Sequence, residues 1–143
     1  MNKFLSFLVT STFLFISCSK ESTIASFKTP VFKLSIDSKG LINEFTDLAT
    51  GKNYLSNDSI SPLLALRIEG RWEFSESVKF IDKQLELKFK NDQTAVVGVI
   101  EKDTHIQFEL ISLTNKDNVD LIQWGPYRTT IQKIIGETVG VVR

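Results

Sequence analysis

Few residues of this 143-residue chain could do chemistry, and most of them stand alone. The single histidine, His105, sits beside Gln107 and Glu109 in an alternating stretch. A catalytic imidazole needs an activated partner and a metal site needs several ligands, so His105 reads as a solvated strand residue. Paired carboxylates can cleave glycosides when held ~5–9.5 Å apart. Glu44, Asp47, Glu101, Glu109 and Glu137 are available, but their spacing brings no two together and each reads as surface charge. Glu137, between Gly136 and Thr138, is the one to test first. The densest cluster is Trp124-Gly125-Pro126-Tyr127-Arg128. Flat aromatic faces stack on sugar rings through apolar contact. Gly-Pro would bend the strand and show both rings, and Arg128 could donate to hydroxyls. The competing reading puts Trp124 in the core and makes Tyr127 the prop of a corner. Trp72 and Tyr54 are weaker candidates for the same stacking. No Gly-rich phosphate loop, metal-ligand spacing or nucleophile motif occurs. No catalytic residue, metal or cofactor is therefore expected, and the reading leans away from an enzyme.

Cys18, the only cysteine, belongs to a different chemistry. Lys3 gives a positive start, Phe4 to Ile16 is uncharged and mostly apolar, and the small Ser17 precedes Cys18. That is the layout of a secretory signal, and the run falls short of the ~20 residues of a spanning helix. Phe15-Ile16-Ser17-Cys18 resembles the bacterial lipobox, with Phe15 in place of the usual Leu or Val. The resemblance implies residues 1–17 as a lipoprotein signal peptide and a diacylglyceryl group on Cys18. Acyl chains contribute about 0.8 kcal/mol per buried CH₂, and stable anchoring takes more than one chain. The expected partner is thus a membrane, reached through lipid on Cys18. Ser19-Lys20-Glu21 is similar to the surface-export signals of Bacteroidetes lipoproteins, which implies an outer-membrane lipoprotein facing outward.

Composition narrows the rest. Lys plus Arg and Asp plus Glu are 17 each, and removing Lys3 with the signal leaves 16 against 17. Without a basic excess there is no electrostatic footprint of a nucleic-acid binder. With Cys18 consumed by lipid, no disulfide is available and the fold must hold by packing.

Residues 18–29 are polar without a clear period and read as a lipidated tether. From Val31 onward the chain alternates. Val31 to Ile36 and Leu41 to Asp47 flank the turn Asp37-Ser38-Lys39-Gly40. Leu63 to Glu69 is strongly apolar, and Trp72 to Phe74 can pair with it. Val78, Phe80, Leu85, Leu87 and Phe89 stand at period two, with Lys79, Gln84, Glu86 and Lys88 facing the other way. Thr94 to Glu101, His105 to Leu113, and Val119 to Trp124 continue the series. Thr129 to Ile135 is expected to hold one helical turn, and Thr138 to Val142 a last strand. Short strands with regular turn signals predict an all-β, antiparallel β-sandwich over residues 30–143.

The chain stops on the apolar Val139-Gly140-Val141-Val142-Arg143. Because edges are usually protected, an incomplete C-terminus, the front of a longer protein, is favoured over a domain that closes on this strand. Phe32 to Ile36, Gly40-Leu41-Ile42 and Asp47 to Leu55 resemble the opening of the galactose-mutarotase-like β-supersandwich that begins many Bacteroidetes carbohydrate-active lipoproteins. Gln123 to Tyr127 and Ile135 to Arg143 are similar to a stretch in large secreted proteins of that kind. The resemblance implies a sugar-related setting and carries over no catalytic residue. Three functions follow as expectations. One is a lipid-anchored module that binds carbohydrate or assists glycan processing, with Trp124, Tyr127, Arg128 and Glu137 as contacts. The second is the leading domain of a glycoside hydrolase, inactive alone. The third is a structural envelope lipoprotein with no small ligand.

Overall fold

The computed structural model describes residues 22–56 and 58–131. Cys18, Glu137 and the expected strand at 138–142 lie outside the described residues. The chain is an all-β, antiparallel sandwich, with no α-helix among the described residues. Its strands are β1 (Thr23–Lys28), β2 (Phe32–Asp37), β3 (Ile42–Asp47), β4 (Leu64–Ile68), β5 (Arg71–Phe74), β6 (Ser77–Ile81), β7 (Gln84–Lys88), β8 (Thr94–Glu101), β9 (Ile106–Leu113) and β10 (Val119–Trp124). They form three sheets, ordered β1-β2-β3, β10-β4-β5 and β6-β7-β8-β9.

Period-two alternation decides which side chains meet. Along β7 and β8, Leu85, Leu87, Ala95, Val97 and Val99 point inward and are buried. Their neighbours Gln84, Lys88 and Glu101 are exposed. A register shift between Val96 and Val97 lets Ser112 and Leu110 pair with consecutive residues, which leaves Ile111 between them. The side chain of Ile111 lies over Gly98, where a Cβ would come within 3.1 Å of its Cδ1.

The tether expected at residues 18–29 is corrected by β1, which pairs along β2 from Thr23↔Asp37 to Lys28↔Lys33. Ala25 and Phe27 alternate with Ser26 and Lys28, and both apolar side chains are buried. The Phe27 ring packs edge-on against Phe80 at 5.3 Å and against Phe108 at 5.9 Å, so β1 closes one sheet over another. Burying a Phe contributes ~1.5–3 kcal/mol relative to leaving it exposed. A threonine, a serine and a lysine among six residues hid a strand whose inner face carries only an alanine and a phenylalanine. The expected helical turn at 129–135 is also corrected over its described part. Thr129 bridges Leu55, and the N–H of Thr130 donates to the Tyr54 carbonyl at 2.7 Å, so the chain there is extended.

The turn after β2 joins the sheets. Asp37 is buried, and its Oδ1 accepts the N–H groups of Lys39 (2.8 Å) and Leu41 (2.9 Å). Gly40 has φ 77°, and a Cβ there would meet Ser75 Oγ at 2.5 Å and Val78 Cγ2 at 2.8 Å. A left-handed backbone and a crowded Cα both require glycine. The turn then bonds in three directions: Ser38 N–H to Ser22 O (3.1 Å), Val78 N–H to Ser38 O (2.8 Å), and Leu63 N–H to Gly40 O (2.9 Å).

Candidate functional site

The carboxylates proposed for chemistry are mostly engaged in holding the sheets. Glu44 sits on β3 opposite Ser35. Its Oε2 accepts from Lys33 Nζ at 2.8 Å and from Ser35 Oγ at 2.9 Å. The hydrogen bond from Lys33 holds its carboxyl below the usual carboxylate range. Asp47 caps its own turn, accepting from Ala49 N–H and Thr50 Oγ1, and the Ala49 bond lowers its pKa. Glu101 accepts the Lys28 N–H at 3.0 Å. Glu109 is exposed on the outer face of β9. His105 is exposed, its ring Nδ1 lies 3.1 Å from Thr104 Oγ1, and its carbonyl accepts the Lys102 N–H at 2.9 Å. Among the described residues no three His, Cys, Asp or Glu converge as metal ligands.

The aromatic corner is built by the end of β10. Trp124 pairs with Leu64, which puts its ring on the inward side of an edge strand, yet it is 40% exposed. Gly125 follows with φ 81° and a cis bond to Pro126. A Cβ on Gly125 would come within 2.8 Å of the Tyr127 backbone N and 3.4 Å of its ring. Tyr127 is 45% exposed as a residue. Its hydroxyl is turned inward and donates to the Leu63 carbonyl at 3.1 Å, while the Gly125 N–H donates to the same oxygen at 3.2 Å. Burial of that end pushes the phenol up to about 12. Tyr127 is thus both prop and partly open surface: its hydroxyl ties the chain after β10 to the residue before β4, and the residue stays partly exposed. Arg128 is held by its backbone, N–H to Ser61 Oγ at 3.0 Å and O from Ser56 N–H at 3.0 Å, and its side chain is exposed.

A second aromatic surface lies on the outer face of β10-β4-β5. Residues directly opposite in antiparallel strands share a face. The pairs Arg67↔Trp72, Ala65↔Phe74, Leu121↔Arg67 and Gln123↔Ala65 therefore place these six side chains together. Trp72 is 42% exposed, Phe74 37% and Leu121 50%. Arg67 is exposed at the centre and has no ion pair or side-chain hydrogen bond among the described residues. Asp120, at the bulge of β10, accepts the Gly70 N–H at 2.9 Å. Trp72 was a weak candidate by sequence. Neither Arg67 nor Gln123 was a candidate, because only the register shows that they flank the ring. Tyr54 is half-buried, and Lys52 Nζ stands 4.8 Å over its ring centroid, which covers the face a ligand would need.

A concavity of about 150 Å³ opens between Phe27, Phe80, Lys83, Val99, Ile100 and Glu101. It lies at the Lys28 end of β1, away from both aromatic surfaces. No family model matches the chain, and no curated protein or solved structure matches it either.

Proposed function

We propose that this protein is a lipid-anchored envelope module that binds carbohydrate on the outer face of β10-β4-β5 and so assists glycan processing. The observation that carries the reading is the grouping of Trp72, Phe74 and an unpaired Arg67 with Gln123 on one solvent-facing surface. An indole face stacks on the apolar side of a pyranose. A guanidinium and a carboxamide in the same plane donate to ring hydroxyls and carboxylates. With Arg67 in no ion pair among the described residues, the surface favours a carboxylated or sulfated polysaccharide over a neutral one. The exposed side chains spread over three strands, which suits a chain held along its length rather than a small molecule enclosed. The anchor reading is supported by the signal-like segment ending at Ser17-Cys18, and an outward-facing position at the outer membrane by the likeness of Ser19-Lys20-Glu21 to surface-export signals.

Affinity electrophoresis through gels containing alginate, polygalacturonate, chondroitin sulfate or neutral xylan tests the binding. Retardation in an acidic gel, abolished by Trp72→Ala and weakened by Arg67→Gln, is expected. Equal mobility in every gel rejects the reading. The anchor is tested separately by incorporation of a labelled fatty acid in a Gram-negative host, which Cys18→Ala should abolish.

A further inference from the structure

The described chain begins at Ser22, four residues after Cys18. Four extended residues reach at most ~13–14 Å. The carbonyl of Ser22 is bonded to Ser38, the Gly40 carbonyl two residues on to Leu63, and the Leu63 carbonyl to Gly125 and to the Tyr127 hydroxyl. The aromatic corner therefore stands at the same end of the sandwich as the start of β1, a few strand spacings of about 4.8 Å away. Ile60 joins it, since its neighbour Ser61 bonds both Ile42 and Arg128. Ile60, Trp124, Pro126 and Tyr127 are all exposed there.

We propose that this corner is a membrane-contact surface that seats the domain on the bilayer to which Cys18 tethers it, an inference that rests on the lipid-anchor reading. Trp and Tyr favour the headgroup level because an apolar ring carries a polar edge. Tyr127 is presented rigidly, its hydroxyl already bonded inside, so little freedom is lost on contact. Acids as well as cations stand at this end: Asp58 and Glu76 are exposed along with Arg128. The contact is accordingly driven by apolar burial rather than by charge. Arg67 lies three residues along β4 from Leu64, about 10 Å at strand rise, and Trp72 sits on the opposite face of the sheet from Trp124. Seating the corner therefore leaves the Trp72 surface on the open flank. Trp124 and Tyr127, candidates for sugar stacking by sequence, are assigned here to lipid.

Two tryptophans make the test selective. Trp72→Phe leaves Trp124 as the reporter, and Trp124→Phe leaves Trp72. The mature protein, residues 18–143, is coupled through its sole thiol, Cys18, to phosphatidylcholine vesicles bearing a maleimide lipid, so that anchoring does not depend on cellular acylation. Acyl chains brominated near the headgroup should cut Trp124 emission by roughly twofold, because interfacial side chains sit ~5–10 Å into the headgroup boundary. Trp72 emission should not move, and added salt should not reverse the quenching. Equal emission of Trp124 in brominated and plain vesicles overturns the proposal. So does a Trp124 response to an acidic polysaccharide in place of the bromines. Failure of fatty-acid labelling together with normal Trp124 quenching removes the cellular anchor and leaves the contact surface standing.

Discussion

Phe27 and Trp72 are both aromatic residues in short antiparallel strands, and they meet opposite fates. Phe27 is 1% exposed between Phe80 and Phe108, whereas Trp72 is 42% exposed beside Arg67. Residue type does not separate them. What separates them is whether a second sheet stands opposite. The inner face of β6-β7-β8-β9 meets β1, while on the outer face of β10-β4-β5 Trp72, Phe74 and Leu121 stay exposed around a buried Ala65. An aromatic ring left exposed adds little to stability, so the difference marks where the packed core ends and open surface begins.

The sharpest way to break this contrast is truncation of each ring. Phe27→Ala should lose about 3–5 kcal/mol, read as the unfolding free energy in urea. Trp72→Ala should fall within about 0.5 kcal/mol of the parent, as exposed substitutions do. Comparable losses at both sites would mean that the outer face is packed after all. Gly40→Ala comes next. A side chain at φ 77° that also strikes Ser75 and Val78 should cost about 1–3 kcal/mol from backbone strain with the overlap added. Gly51→Ala, at φ 71° but with open space around it, should cost less, about 1 kcal/mol. Equal thermal shifts for the two alanines would remove the crowding at the Asp37 turn from the account.

Two titrations sharpen the comparison with smaller effects. Glu44 has its pKa lowered below 4.5 by Lys33, so the bond stabilises the folded chain above that pH. The contribution is lost as pH falls through the depressed value. It should amount to less than about 1 kcal/mol for so exposed a pair. In Glu44→Gln, unfolding midpoints should depend less on pH in that range; an unchanged slope would contradict the assignment. Tyr127 runs the other way, being raised from 10.0 to about 12 by burial. Its folded form holds a proton that the unfolded chain has released, so stability falls as pH rises from 10.0 toward about 12. Alkaline difference absorbance should show one late phenol step, absent in Tyr127→Phe.

Most of the sheet architecture was legible. Leu85, Leu87, Val97 and Val99 alternate with polar residues over long stretches, and strand after strand followed. β1 escaped because its inward signal is only Ala25 and Phe27, and its strength comes from Phe80 and Phe108, more than fifty residues away in sequence. The corner at Trp124 could be found locally, since Gly-Pro between aromatics announces a bend. The face around Arg67 could not. Arg67, Trp72 and Leu121 become neighbours only through the registers of β4 with β5 and β10, and a register shift near Asp120 moves that pairing by one residue.

The most direct measurement is tryptophan emission in the two single-tryptophan proteins, titrated with the acidic polysaccharide that retards the parent chain. Trp124→Phe, which retains Trp72, should show a saturable blue shift, and Trp72→Phe should show none. A shift confined to Trp124, or no shift in either protein at concentrations that retard the parent, would contradict a ligand surface on the outer face of β10-β4-β5.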